Sequence, residues 1–225
     1  MPWCNCAALK EGIKCWPVST ERGPSLLAIL DDDKSVQDAL RDLIESEGMS
    51  ALCFDSAEQF LDSRARRQAS CLIADIGMPG MSGIELQARL NMERCGIPVI
   101  FITARCDIPL AVSAMKEGAI DFFTKPFDDG VFLAAVGHAL VKDRNNRRKA
   151  LEQANLLARY RSLTPREQEV LPLLVSGLLN KQVAAELGIA EYTVQVHRGH
   201  IMRKMRVDSF ATLVRTAERL CPESP

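Results

Sequence analysis

Along residues 25–141, short apolar runs alternate with stretches whose apolar residues recur at three- and four-residue intervals. The runs are LLAIL (26–30), ALCF (51–54), CLIA (71–74), PVIFI (98–102) and AIDFF (119–123), each of strand length and bounded by charged or turn-forming residues. After the first run, Val36, Ala39, Leu40, Leu43 and Ile44 fall at i, i+3, i+4, i+7 and i+8, the stripe of an amphipathic helix that Gly48 closes. Ser56 with Gln59 has the signature of a capping box for the next helix. Five strands separated by crossover helices predict a parallel sheet buried on both faces.

Behind this unit the pattern changes. Residues 142–161 contain neither Gly nor Pro, which predicts a helical linker running out of the front unit. Thr164, Pro165 and Glu167 supply an N-cap, a first-turn proline and a capping box for a helix that Gly177 closes. NKQVAAEL (180–187) reads as a second helix, with Gly188 in the turn before a third over AEYTVQVHRGHIMRKM (190–205). Two short helices joined by a glycine-containing turn form the helix-turn-helix pattern, whose second helix enters the major groove of DNA. Val194, Ile201 and Met205 share one face and are expected in the core; Gln195, Val196, Arg198 and Gly199 lie elsewhere on the helix. Pro172, inside EVLPLLV, removes the hydrogen bond to the Gln168 carbonyl and is expected to kink its helix. The organisation is thus an N-terminal extension (1–24) expected to be disordered, an α/β unit (25–141), a helical linker (142–161) and an all-α unit (162–220).

In parallel sheets the working groups gather beyond the carboxyl ends of the strands. Those positions hold Asp31 and Asp32 after the first strand, Asp75 after the third, Thr103 after the fourth and Lys125 after the fifth. Three acids placed together raise one another's pKa unless a cation neutralises them, and carboxylates with room for water are what Mg2+ prefers. Any one of these residues alone reads as a loop cap or a surface ion pair. Their convergence on one sheet edge is what points to chemistry.

Composition narrows the class without changing it. The chain is 47% hydrophobic and 25% charged, a globular profile. No apolar stretch approaches the roughly 20 residues that cross a bilayer, and the first 24 residues carry no secretory core, so a cytoplasmic protein without a membrane is expected. In a reducing compartment the eight cysteines read as thiols, Cys53 and Cys71 among them, rather than as disulfides. Cys4, Cys6 and Cys15 resemble half a metal site but have no fourth ligand nearby. The net charge of −1 hides an asymmetry: residues 25–141 carry 10 basic and 18 acidic side chains, whereas residues 142–162 carry 7 and 2. An acidic front joined to a basic rear suggests two units with different partners. The basic linker reads as a solvated face, a clamp on the acidic unit, or an arm for phosphates.

The segments ILDDDKSV, LIADIGMPGMSG, FITA and DFFTKPF, with DIPLAVSAMKEGAIDF between the last two, resemble the receiver domain of two-component response regulators over about residues 25–141. That resemblance implies a five-stranded parallel sheet in the flavodoxin-like order 2-1-3-4-5. It makes Asp75 the residue phosphorylated by a partner sensor histidine kinase, and Asp32 and Asp75 Mg2+ ligands with the Gly77 carbonyl, supported by Asp31. Lys125 would pair with the phosphoryl oxygens, Thr103 would hydrogen-bond one of them, Phe122 would be the aromatic switch, and Lys125–Pro126 would be a cis peptide. The fourth helix, fifth strand and fifth helix, with Ala111, Val112 and Met115, would form the responsive surface. LTPREQEVL, GLLNKQVAAELGIAEYTVQVHR and IMRKM are similar to the LuxR-type DNA-binding domain of FixJ/NarL-class regulators, a class that includes regulators of aromatic-compound catabolism. This likeness puts Lys181, Thr193 and Arg198 near phosphates, Gln195 and Val196 near base edges, and Lys204 on the DNA backbone. The two likenesses together imply a phosphorylation-dependent transcriptional activator that dimerises when phosphorylated and works on promoter DNA with RNA polymerase. It would not be an enzyme beyond phosphoryl transfer and slow self-dephosphorylation.

Two other readings compete. DDDKS fits the D-x-D-x-[S/T] opening of haloacid-dehalogenase-like phosphatases, with Asp31 as nucleophile and Asp33 as acid, but leaves ADIGMPG unexplained. A DNA-binding protein with a vestigial receiver conflicts with the full complement of pocket residues. Gly77 and Arg105 flank the path of hydrolytic water with opposite consequences, an open side and a blocking one, and Gly199 leaves a bare spot on the recognition helix.

Overall fold

The computed structural model describes residues 25–104 and 108–220; the N-terminal extension with Cys4, Cys6 and Cys15, and also Arg105, lie outside them. The chain divides into two compact units, with the boundary between Arg148 and Lys149.

The first unit runs β1 (Leu26–Leu30), α1 (Lys34–Ser46), β2 (Ser50–Phe54), α2 (Ala57–Asp62), α3 (Ala65–Gln68), β3 (Cys71–Asp75), α4 (Gly83–Met92), β4 (Val99–Thr103), α5 (Ile108–Lys116), β5 (Asp121–Thr124) and the beginning of α6 (Asp129–Arg161). The strands are all parallel, in the order β2-β1-β3-β4-β5. Alternate strand residues face opposite sides, so two cores form. Ala28, Leu30, Leu72, Ala74 and Phe101 pack under residues of α2 to α5, while Leu27, Ile29, Ile73, Ile100 and Ile102 pack under α1 and α6. Burial pushes the Cys71 thiol far up, as a core thiol should be.

Burial on both faces holds only for the three central strands. No residue of the edge strand β2 is buried, and Leu52 is 44% exposed. The apolar stripe of α1 also differs from the expected one. Ala39 is exposed, and the polar Gln37 is fully buried beside Leu40 and Ile44, for a reason that the site makes plain. At α2 the Ser56 hydroxyl caps the Gln59 amide, but the Gln59 side chain accepts from Asp55 rather than from the cap residue, so the capping box is not closed.

The basic segment begins as a clamp. Lys142 donates to the Gly118 carbonyl, Asn146 to Gly96, and Arg147 to Gln68 and Ala69 while paired with Asp143 at 2.7 Å. Residues 142–147 of α6 are thereby fastened to loops of the α/β unit.

The second unit comprises the rest of α6 with α7 (Pro165–Val175), α8 (Asn180–Leu187), α9 (Glu191–Met205) and α10 (Phe210–Glu218). Helix α7 starts with the expected Thr164–Glu167 capping box and N-terminal proline, and Gly188 sits at φ 65° between α8 and α9. Val194, Ile201 and Met205 are fully buried against Val170, Leu171, Leu174 and Val183. Helix α7 runs unbroken through Pro172, so the missing amide is tolerated rather than used to end the helix. Pro172→Ala is expected to raise the melting midpoint of this unit, the gain reaching up to about 3 kcal/mol if the full interior penalty is present; a melt that does not shift upward contradicts it.

Candidate functional sites

The carboxyl edge of the sheet places the pocket residues through backbone pairing. The register Leu30↔Ala74, Asp75↔Ile102 and Thr103↔Thr124 brings the ends of β1, β3, β4 and β5 to one edge. Asp31, 2% exposed, follows β1; Asp75 is the last residue of β3 and Thr103, 6% exposed, the last of β4. Lys125 follows β5, where its amide bonds to the Thr103 carbonyl and its bond to Pro126 is cis.

The Lys125 ammonium lies 2.6 Å from Asp31 Oδ2 and 3.5 Å from Asp75 Oδ1. The other Asp31 oxygen accepts from the Asp33 amide at 3.0 Å, and Asp75 Oδ2 accepts from the Gly77 amide at 2.7 Å. Burial lifts the Asp75 carboxyl above the usual carboxylate range, and the Asp31 charge adds to this against the Gly77 amide and Lys125. Burial pulls Lys125 the other way, yet the hydrogen bond and charge of Asp31, with the charge of Asp75, hold it above the ordinary lysine value. The two directions describe one arrangement: Lys125 is satisfied mainly by Asp31, and its longer contact with Asp75 does not repay the burial of that carboxylate.

The expected gathering of three acids is only partly formed. Asp32 is exposed, and among the described residues no group of three His, Cys, Asp or Glu side chains is placed to hold a metal ion. Asp33 is spent on the N-cap of α1, accepting from the Ser35 amide and hydroxyl. The remaining donors are all oxygens, the set a hard divalent cation takes. Phe122 is half-buried, packed with Leu110 against the cluster that contains Phe101 and Ala114.

Sequence reasoning missed three supports of this edge. Gln37 Nε2 donates to the Asp31 carbonyl at 2.5 Å, to Phe54 O and to Asp55 Oδ1, tying the ends of β1 and β2 together. Its signal was a polar residue beside an apolar stripe. Glu58 accepts from the Met81 amide across the β3–α4 loop. Gly83 lets α4 approach β3 so closely that a Cβ there would lie 2.7 Å from the Asp75 carbonyl oxygen. At Gly77 a Cβ would lie 3.2 Å from Asp75 Oδ2.

In the second unit the residues expected to meet DNA divide by environment. Lys181, Gln195 and Val196 are exposed, and Thr193 is half-buried. Arg198 lies 4.3 Å above the Phe210 ring at the start of α10, a cation–π contact. Lys204 already has a partner within the unit: its ammonium pairs at 2.7 Å with Glu167, itself 2% exposed. Despite burial, Lys204 and the Thr164 amide hold the Glu167 carboxyl below its usual range. A phosphate contact from Lys204 would leave that buried carboxylate without its cation.

Residues 27–137 match the response regulator receiver domain, and residues 161–217 match the bacterial regulatory proteins of the luxR family. The chain is 45% identical to nodulation protein W of Bradyrhizobium diazoefficiens over 87% of its length and 86% of that protein's. It is 48% identical to response regulator protein TodT of Pseudomonas putida over 87% and 86%. Among solved structures, response regulator StyR superposes with a TM-score of 0.76 at 47% identity, covering 88% of this chain and 100% of that one. No described helix is long and apolar enough to cross a membrane. A carboxylate-and-lysine edge on a 2-1-3-4-5 sheet, followed by a helix-turn-helix unit and matched over both halves, places this chain in the response-regulator family, with a receiver domain and a LuxR-type DNA-binding domain.

Proposed function

We propose that Asp75 is the phosphoacceptor, that a sensor histidine kinase is the donor, and that the phosphoryl group controls binding of the LuxR-type domain to promoter DNA. One observation carries this reading: Asp75 is a largely buried carboxylate within reach of Lys125 and is held by the Gly77 amide at the carboxyl edge of the sheet. An Asp75 oxygen attacks the phosphorus of a phosphohistidine, the P–N bond breaks, and the imidazole leaves with the bonding pair as an acyl phosphate forms. Lys125 supplies positive charge to the incoming oxygens, and the buried Thr103 hydroxyl offers a donor. Asp32, Asp75 and the Gly77 carbonyl, with Asp31 beside them, are the groups that would hold Mg2+. When bound, that ion supplies further positive charge to a transferring phosphoryl group.

The added charge, up to about −2, draws on Thr103 and favours a second packing of the half-buried Phe122, which biases a dimer-forming surface on α5, β5 and α6. Val112 and Met115, both exposed on α5, suit that surface, with the half-buried Ala111 beside them in sequence. Two copies on two half-sites supply the contact area that one small helical unit lacks. The DNA-bound dimer would act in the cytoplasm as an activator through RNA polymerase.

Peptide mapping after treatment with a small-molecule phosphodonor tests the first step. An acyl phosphate on Asp75 is expected; one on Asp31 would instead favour the phosphatase reading. For the output, Lys181→Ala and Arg198→Ala are each expected to weaken all duplexes alike and to lower the slope of log affinity against log salt by about one. A change in which sequence is preferred would remove either residue from the phosphate-binding set.

A further inference from the structure

Helix α9 gives one face to the core and leaves the opposite face uncommitted. At 3.6 residues per turn, Tyr192, Gln195, Val196 and Gly199 stand at i, i+3, i+4 and i+7 on the side away from the buried Val194, Ile201 and Met205. All four are exposed. Tyr192 is 76% exposed, and among the described residues no ring contact or hydrogen bond engages its side chain. An aromatic ring left this open contributes little to the fold, and apolar surface in water is unfavourable.

Its position adds a second argument. Tyr192 lies in the first turn of α9, and the N-terminal residues of the second helix in a helix-turn-helix are the ones that reach base edges. Val196, 38% exposed, is its i+4 neighbour, so the two can cover one apolar spot on the helix surface. Gly199 contributes no side chain, and nothing lies within 4 Å of where a Cβ would stand. Reading of bases by this face therefore falls to a phenol ring, an amide and a branched alkyl group. Thymine is the base that offers a methyl group in the major groove, and the amide of Gln or Asn matches adenine N6 and N7.

Building on the DNA-binding reading above, we propose that Tyr192 is a specificity-determining residue: with Val196 it receives the C5 methyl of a thymine, beside an A·T pair read by Gln195. The ring, not the hydroxyl, makes the contact.

The test uses the full-length chain, treated with a small-molecule phosphodonor and Mg2+. Duplexes are selected from a pool with a randomised core, and each thymine of a selected duplex is then replaced singly by deoxyuridine, which removes only the methyl group. At one position per half-site the replacement is expected to weaken the parent protein about four-fold, the worth of one buried methyl-sized group. Tyr192→Ala is expected to bind the two duplexes equally, and Tyr192→Phe to keep the parent's discrimination. The proposal is overturned if no deoxyuridine weakens the parent, if Tyr192→Ala discriminates as the parent does, or if Tyr192→Phe loses the discrimination. In each of these cases Arg198→Ala, weakening every duplex alike, shows the DNA-binding reading standing without Tyr192. Failure of the parent to enrich any sequence overturns both.

Discussion

Asp75→Asn is expected to take up no phosphoryl group and, at neutral pH, to melt at a higher temperature than the parent chain. The first half follows because an amide oxygen does not serve as the nucleophile that a carboxylate does. The second follows from the environment of the carboxylate. Burial, aided by the charge of Asp31, raises the Asp75 pKa above its ordinary value of 3.8. A group whose folded pKa is raised binds its proton more tightly in the folded state. Folding is therefore favoured by the protonated form below the unfolded pKa, and that contribution is lost as pH rises through the folded value. At neutral pH the ionised carboxylate is a net cost that Asn removes. Intact mass after phosphodonor treatment checks the first half. Melts in a descending pH series check the second: the advantage of Asn should shrink as pH approaches 3.8. Equal midpoints at neutral pH would mean that Lys125, 3.5 Å away, fully compensates the burial.

Gly83→Ala is expected to destabilise the receiver domain by about 1–3 kcal/mol, the range for an overpacked site, and to lower its melting midpoint by roughly 4 °C for each kcal/mol. The new Cβ would stand 2.7 Å from the Asp75 carbonyl oxygen, 3.0 Å from Phe101 Cε1 and 3.3 Å from the Ile76 Cα. Two of these three atoms are backbone and the third is a fully buried ring, so no flexible side chain can yield. Either α4 retreats or the end of β3 shifts, and a shift there misplaces the Asp75 carboxylate, so phosphoryl uptake should slow in the same variant. Gly199→Ala serves as the control. It is an exposed mid-helix glycine with nothing within 4 Å, and alanine there should stabilise α9 by up to about 1 kcal/mol. A Gly83→Ala receiver that melts with the parent would show the strand and helix to be more pliable than their packing indicates.

Both substitutions turn on features that the sequence displayed unequally. The acid at Asp75 was legible because a charged residue at the end of the apolar run CLIA has few places to be except a strand edge. The need for glycine at position 83 was not legible. Its φ is not in the left-handed region, and what demands it is the approach of β3, an element eight residues earlier. Gln37 shows the same limit. Periodicity selected Ala39 for the apolar stripe, yet the structure buries Gln37 because its amide nitrogen meets oxygens from Asp31, Phe54 and Asp55, a demand visible only once β1 and β2 are paired.

In the DNA-binding domain the local signals were stronger. The Thr164–Glu167 capping box, the α8 boundaries and the left-handed Gly188 are set by neighbouring residues, so a short stretch of chain suffices to specify them. Lys204 is the counter-example. The likeness to LuxR-type domains puts it on the DNA backbone, and the structure pairs it with Glu167, 37 residues away, a partner that local spacing does not reveal.

The sequence alone determined the alternation of strands and helices, the two-unit organisation and the residues brought to the sheet edge, because each depends on periodicity and on spacing within a short segment. The tertiary structure decided how those residues share charge. It paired Lys125 with Asp31 more closely than with Asp75 and left Asp32 exposed. It spent Lys204 on a buried glutamate and left Tyr192 facing solvent. Burial and partner distance set the state of an ionisable group, and both are fixed by contacts between segments far apart in the chain.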